Sequence, residues 1–159
     1  MIERKKRIAF VISKGKLDIA YISLNLAATG AGMDCDVRLF FTFYGVDIVH
    51  KEKNQLLQVP ATCNPAIPSP VPIPNAIGIL PGMTSIYTAM FKKSVQKLQW
   101  PPIPEMVSLC LQSGVKMIAC APTLEMMNIK QHDLVEGVEV GGVVQFLEFA
   151  LDSDINFVF

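Results

Sequence analysis

Apolar residues occur along this chain in short dense runs that alternate with stretches of helical spacing. Residues 6–13 form a run typical of a strand buried on both faces, and residues 35–43 form a second run rich in aromatic and β-branched side chains. Between them, apolar positions over residues 17–28 follow a helical period, which we expect Gly30 and Gly32 to terminate. Strand, helix and strand in this order predict a parallel sheet with right-handed crossovers.

The rest of the chain continues this alternation. We expect a short helix over residues 46–51, helices over 83–98 and 104–112, a strand over 115–120, helices over 123–127 and 142–151, and a last strand at 154–159. We assign no strand and no nucleotide site to G-V-E-V-G-G at 137–142, because it does not follow an apolar run and its glycine spacing is wrong. The pattern predicts one domain over residues 1–159, a three-layer α/β sandwich with a mainly parallel sheet, Rossmann- or flavodoxin-like.

A proline-rich apolar insertion at about residues 54–82 interrupts the alternation. Six prolines lie within residues 60–74, and no charged side chain occurs between Lys53 and Lys92. Because proline lacks a backbone donor and has a fixed φ, we expect this segment to be extended. Its interrupted backbone argues against a membrane-spanning helix. We expect an apolar loop folded over the domain or into a subunit interface, with contact to a membrane surface as the alternative.

Composition narrows the class of protein. Hydrophobic residues make up 51% of the chain and charged residues only 18%, against about 25% in an average soluble domain. This excess predicts apolar surface that a partner subunit or a membrane covers, and we expect a homo-oligomer. Fourteen basic side chains balance fourteen acidic ones, and we therefore expect no nucleic-acid partner.

The cysteines indicate a reducing compartment. The apolar run after the basic start is too short for a signal peptide, so we expect a cytoplasmic protein with reduced thiols. The four cysteines form no C-x-x-C pair, and both histidines lie far from any cysteine pair in the sequence. We therefore expect no structural zinc site.

Cys120 is the strongest candidate for chemistry. It ends the run V-K-M-I-A-C, and Pro122 and Thr123 open a helix directly after it. The carboxyl end of a parallel strand is where α/β proteins place their sites, and unpaired donors at a helix start favour a thiolate. Packing of a small buried side chain is the alternative interpretation of Cys120, and for Cys35 and Cys110 it is the favoured one.

Several segments, in their order, resemble the DsrE/DsrF-like sulfur-relay family, in particular its longer branch with a proline-rich insertion. They are S-K-G-K-L-D, F-F-T-F-Y-G, P-I-P-N-A-I-G-I-L-P-G-M-T, and V-K-M-I-A-C-A-P-T-L-E-M-M-N-I followed by L-V-E-G-V-E-V-G-G-V-V-Q-F-L. The resemblance implies a compact α/β fold, trimers or hexamers, and a cytoplasmic role in dissimilatory sulfur metabolism. It also implies that Cys120 accepts sulfane sulfur or a thiosulfonate group, with Cys110 as a weaker second cysteine.

The same resemblance implies partners and a setting. TusA-like carriers and rhodaneses exchange sulfur with such proteins, and some relatives of this branch associate with membranes at their periphery. Other groups at the predicted sheet edge are then candidates to bind the sulfur or the oxyanion of the substrate. They are Ser13, Gly15, Thr42, Gly45 and Thr123.

Three functions remain open at the level of sequence. The first is a sulfur carrier or transferase that uses Cys120 as its nucleophile. The second is a non-catalytic oligomeric scaffold, a partner of a membrane-bound or heterodisulfide-reductase-like complex, in which Cys120 is only packed. The third is a flavodoxin-like nucleotide or flavin binder, against which the lack of a phosphate-cradling loop argues.

Overall fold

The protein is built around a five-stranded sheet in which every strand pairs in parallel. The computed structural model describes residues 4–61 and 80–159. Its strands are β1 (Arg7–Ile12), β2 (Asp36–Phe41), β3 (Lys116–Cys120), β4 (Glu139–Gly141) and β5 (Ile155–Val158), in the spatial order β4-β3-β2-β1-β5. The predicted α/β fold with a parallel sheet is confirmed.

Helices pack on both faces of the sheet. They are α1 (Leu17–Gly32), α2 (Met83–Lys97), α3 (Ile103–Gln112), α4 (Ala121–Met126) and α5 (Val143–Leu151). Side chains of α1, α2 and α3 form the larger buried core on one face, together with strand residues such as Phe10 and Met117. On the other face, α5 packs over Ala9 and Ile118. Successive strand residues point to opposite faces, which explains why Met117 and Ile118 belong to different cores.

Helix α1 is longer than the sequence predicts. The glycines predict an end near Ala28, whereas the helix continues to Gly32. A Cβ added to Gly30 would lie 2.9 Å from Cδ1 of Ile8 and 3.2 Å from Cγ2 of Val37. Gly30 therefore lets the helix approach the first two strands closely. In the sequence alone, a glycine with this packing role looks the same as a glycine that ends a helix.

Two elements at the carboxyl edge of the sheet also differ from the sequence prediction. The predicted helix over 46–51 is a 3-10 helix over Phe43–Ile48. Strand β4 lies within the glycine-rich segment to which the sequence assigns no strand, and it pairs Ile118 with Glu139 and Cys120 with Gly141. Three residues that begin with a charged side chain carry too little apolar signal to predict a strand.

The α5 face of the sheet leaves much apolar surface exposed. On α5 the exposed fractions are 72% for Val144 and 84% for Leu151, and on β5 it is 77% for Val158. Isolated exposed apolar side chains are ordinary, but a contiguous group on one face is typical of a contact surface. This side of the molecule therefore carries part of the apolar excess of the composition, and other exposed apolar side chains, such as Met33 and Leu56, lie outside it.

The proline-rich segment lies mostly outside the part of the chain that the structure describes. The predicted extended conformation over 60–74, and the position of Cys63 within it, fall largely on residues 62–79. Across residues 4–61 and 80–159, every helix is too short or too polar to cross a bilayer.

Candidate functional site

Cys120 ends strand β3 at the carboxyl edge of the sheet. Its backbone caps α4, whose first turn contains Pro122, and its partner in the sheet register is Gly141 of β4. Because Ile118 and Cys120 share one face of β3, the thiol points to the α5 side, where it joins a buried cluster with Phe146. The residue is only 4% exposed, so the fold of one chain almost closes the thiol off from solvent.

Two threonine hydroxyls meet beside this cysteine. The last pair in the register of β2 and β3 is Phe41 with Ala119. The next residue of each strand end is Thr42 and Cys120, respectively, so the two residues follow neighbouring positions at the same edge. The Thr42 hydroxyl oxygen lies 3.1 Å from that of Thr123, which stands in the first turn of α4. The structure thus brings two of the predicted substrate-binding residues to the end of β3.

The turn after Thr42 has a strained backbone. Phe43 has a φ of +46°, in the left-handed region that is costly for a bulky side chain. Its N–H donates to the Thr123 hydroxyl at 3.2 Å, a bond that ties this turn to α4. The side chain of Phe43 is 54% exposed and that of Tyr44 is 69% exposed. A strained turn and two exposed aromatic rings therefore border the edge at which the thiol lies.

Gly15 and Gly45 join two loops rather than face the thiol. A Cβ added to Gly15 would overlap the Tyr44 carbonyl oxygen, and one added to Gly45 would overlap the Ile12 carbonyl oxygen. The loop after β1 and the loop after β2 therefore interlock through two backbone contacts that only glycine permits. Both predicted residues have a packing role in the structure, and through it they fix the turn that carries Thr42.

Ser13 lies at the end of β1, apart from Cys120. Its N–H and its hydroxyl both donate to the Phe159 carbonyl oxygen, at 2.7 and 2.8 Å. Strand β2 separates β1 from β3, and two strand spacings amount to about 10 Å. The structure does not bring Ser13 together with the thiol.

Cys110 occupies the opposite side of the sheet from Cys120. It lies on α3, fully buried in the larger core, and its thiol donates to the Leu24 carbonyl oxygen at 3.4 Å. Burial raises the pKa of the Cys110 thiol to about 11, because an apolar surrounding disfavours the thiolate. The two thiols face different cores, so sulfur cannot pass directly between them through the sheet.

The raised pKa of Cys110 predicts a specific pH dependence of stability. The unfolded thiol has a pKa near 9.0 and the folded one near 11, so above pH 9 the unfolded state releases a proton that the folded state retains. The free energy of unfolding should therefore fall as the pH rises from about 9 to about 11. Urea denaturation across this range should show a smaller fall for Cys110→Ala, in which all lysines and tyrosines still titrate. If the free energy of unfolding falls equally in the two proteins, the raised pKa of Cys110 does not contribute to this pH dependence.

Sequence reasoning missed the β4 side of Cys120. A Cβ added to Gly141 would overlap Oε1 of Gln145 and would lie 2.8 Å from Cγ2 of Ile118. The Gln145 amide, on the first turn of α5, therefore packs against the residue that pairs with Cys120. A short glycine-flanked strand carries no apolar signal, so the spacing of sequence motifs could not place this amide against the strand that pairs with Cys120.

The described residues contain no group of three His, Cys, Asp or Glu side chains that could hold a metal ion. His132 is a surface residue whose Nε2 lies 3.4 Å from Oδ1 of Asp133. The His50 ring nitrogen Nδ1 accepts the Glu52 N–H at 3.2 Å. Neither histidine stands at the end of β3. Within this part of the chain, the thiol of Cys120 is buried with Ile118 and Phe146, and the polar groups at the neighbouring strand ends are the hydroxyls of Thr42 and Thr123 and the amide of Gln145.

Comparison with known sequences relates nearly the whole chain to one family. The family model described as "DsrE/DsrF/DrsH-like family" matches residues 4–158, which confirms the resemblance noted from the sequence. "Sulfur carrier protein DsrE2" of Allochromatium vinosum is 37% identical over 155 residues, covering 95% of this chain and 96% of the relative. "Uncharacterized protein YrkE" of Bacillus subtilis is 26% identical over 164 residues, covering 98% of each chain.

Solved structures of similar fold lie at much lower sequence identity. The ychN protein from E. coli superposes with a TM-score of 0.58 at 16% identity, covering 98% of this chain and 100% of the other. MTH1491 from Methanobacterium thermoautotrophicum, a protein of unknown function, gives a TM-score of 0.58 at 14% identity and covers 96% and 99%. At these identities the likeness supports the fold alone.

Proposed function

The chain belongs to the DsrE/DsrF/DrsH-like family, and we propose that it is a cysteine-based sulfur carrier that accepts sulfane sulfur or a thiosulfonate group on Cys120. The observation that carries this proposal is the position of Cys120 at the end of β3, beside the paired hydroxyls of Thr42 and Thr123. The A. vinosum relative is named a sulfur carrier protein, which supports the same class of chemistry.

The proposed reaction is a displacement at sulfur. The Cys120 thiolate attacks the outer sulfur of thiosulfate, forms a persulfide and releases sulfite. With tetrathionate, attack on an inner sulfur leaves a thiosulfonate group on the cysteine sulfur and releases thiosulfate. An acceptor thiolate then attacks the transferred sulfur, and the Cys120 thiolate leaves, by the geometry of thiol–disulfide exchange. No metal or organic cofactor takes part in either step.

The threonine pair supplies the polar contacts of this proposal. Each hydroxyl is both a donor and an acceptor, so the Thr42–Thr123 pair can turn one O–H toward a bound oxyanion while keeping its mutual contact. Hydrogen bonds to an anionic group are stronger than those between neutral groups. We assign Thr42 and Thr123 to substrate binding and give Gly15 and Gly45 the indirect role of fixing the turn between them.

The burial of Cys120 suits a carrier that must hold a reactive sulfur. Cys120 is 4% exposed, so a persulfide formed on it is shielded from unrelated thiols until a partner displaces the groups around it. The exposed rings of Phe43 and Tyr44 at the same edge are the natural contact for that partner. We propose a TusA-like carrier and a rhodanese for this role, in the cytoplasm.

The proposal includes a homo-oligomer, a trimer or a hexamer. The apolar residues left exposed on α5 and β5, Val144, Leu151 and Val158 among them, support it. The alternative is that this apolar face contacts the surface of a membrane. Sedimentation in the presence and absence of liposomes separates the two, because an oligomer persists without lipid.

A direct test measures where the sulfur is bound. Native protein treated with tetrathionate should gain one adduct by intact mass, and peptide mapping should place it on the fragment that contains Cys120. A reductant should remove it and release the unmodified thiol. If the protein is a scaffold with a packed cysteine, native Cys120 will stay unmodified while the denatured chain reacts, and that result would reject the carrier proposal.

A further inference from the structure

We propose that the cavity between α1, α2 and the start of α3 binds a small organic anion with a flat apolar body and one hydrogen-bond donor. The cavity holds about 500 Å³, within the range of about 300–1,000 Å³ that small-molecule sites occupy. Apolar side chains from α1 and α3, Leu17 and Ile103, form part of its wall. The proposed function makes no use of this space.

An unpaired buried acceptor belongs to one of the residues that line this site. Asn54 lines the cavity and is 3% exposed, and its Oδ1 is shielded from solvent and accepts no hydrogen bond from the described residues. Its N–H is already bonded to the His50 carbonyl oxygen at 3.1 Å, so the backbone position of Asn54 is fixed. An unsatisfied buried oxygen is costly, and a turn of the Asn54 side chain toward the cavity would let a ligand N–H or O–H satisfy it.

A single cation lies among the residues that line the cavity. The Lys92 ammonium donates to the Gln55 carbonyl oxygen at 3.3 Å, which uses one of its three donors. Among the described lining residues there is no Asp or Glu to neutralise it. The site therefore favours a ligand with one negative group, which can take the remaining donors of Lys92.

Two aromatic rings define the shape of the ligand. Tyr21 and Trp100 both line the cavity, with ring centroids 5.9 Å apart. Trp100 is 39% exposed, so it forms an open wall on which a flat ring can stack. Aromatic stacking together with one charge and one buried acceptor defines a class of ligand, such as an aryl or indolyl carboxylate.

The cavity and the Cys120 thiol lie on opposite sides of the sheet. Leu17, Tyr21 and Ile103 belong to the larger core, whereas Cys120 belongs to the α5 core. Binding in the cavity therefore does not depend on the proposed sulfur chemistry. Cys120→Ser should bind the same ligands with unchanged affinity, so failure of one proposal is separable from failure of the other.

The test uses three matched probes and one built-in reporter. Trp100 is the only tryptophan of the chain, so its indole N–H gives a single assigned signal in an NMR titration of 15N-labelled protein. The probes are indole-3-acetate, 1-naphthaleneacetate, which lacks the ring N–H, and indole-3-ethanol, which lacks the charge. Indole-3-acetate should shift the Trp100 signal and bind about tenfold more tightly than either of the other probes.

Substitutions assign each contact. Lys92→Met should weaken indole-3-acetate about tenfold and leave indole-3-ethanol within about twofold, whereas Lys93→Met, one position along the same helix and exposed, should change neither. Asn54→Leu should weaken the two indoles and spare 1-naphthaleneacetate. No shift of Trp100 at millimolar probe would overturn the proposal. Equal effects of Lys92→Met and Lys93→Met would overturn it as well, since they would indicate general surface attraction.

Discussion

Cys120→Ser should abolish sulfur loading. We expect the adduct formed with thiosulfate or tetrathionate to fall by at least about 100-fold, because a serine hydroxyl is far less acidic and less nucleophilic than a thiol. The substitution is nearly isosteric at a buried position next to Gly141, so the fold should persist. Intact mass after tetrathionate treatment measures the adduct, and transfer to a thiol acceptor measures delivery.

Cys35→Ser is the matched control for this variant. Cys35 lies just before β2, at the amino edge of the sheet and away from the end of β3. Its replacement makes the same chemical change and should leave both loading and transfer at the level of the unmodified protein. A variant of Cys120 that still acquires the adduct, or a Cys35 variant that loses it, would remove Cys120 from the proposed role.

Gly45→Ala should destabilise the protein strongly. The new methyl group would overlap the Ile12 carbonyl oxygen, and backbone cannot rotate aside as a flexible side chain can. Overpacking commonly costs about 1–3 kcal/mol, and we expect about 3 kcal/mol here because the Ile12 carbonyl also accepts the Thr42 N–H at 2.9 Å. Urea denaturation measures the free energy of unfolding, and sulfur loading should fall with it as the turn at Thr42 shifts.

Gly32→Ala is the matched control, because it adds the same methyl group at a position with free space. Gly32 is the last residue of α1, and a Cβ there would meet no atom within 4 Å. The same added methyl group should therefore be neutral or stabilise by up to about 1 kcal/mol, through helix propensity. If both glycine variants lose similar stability, the interlocked loops do not account for the requirement at position 45.

Sequence patterns predicted the elements that bury a clear apolar face. The end of α3 is an example: Gly114 has a φ of +84° and follows the helix as expected, with the Val115 N–H bonded to the Cys110 carbonyl oxygen at 3.0 Å. Strand β4 was missed because Glu139–Gly141 gains its place from pairing with β3, not from its own hydrophobicity. Gly30 was misread because a glycine that permits close packing and one that ends a helix look the same in sequence.

The candidate site was predictable to the level of strand ends. Since parallel strands end at one edge, Thr42, Cys120 and Thr123 were expected near one another, and the structure places them so. The order of strands was not predictable from the spacing of sequence motifs. Because of this order, Ser13 at the end of β1 lies two strands away from Cys120 at the end of β3. The burial of the Cys120 thiol under α5 likewise depends on tertiary packing that no local pattern records.

The pairing of β5 with β1 has a consequence for the chain during synthesis. Ile8 pairs with Ile155, and the Arg7 N–H donates to the Asp154 carboxylate at 2.8 Å, so the sheet is complete only after its last described strand has left the ribosome. Helix α5, which covers Cys120, leaves just before it. Until then the thiol face is open to solvent, and closure of such sequence-distant contacts is slow compared with local helix formation. A nascent chain therefore exposes the Cys120 thiol, which the finished fold conceals.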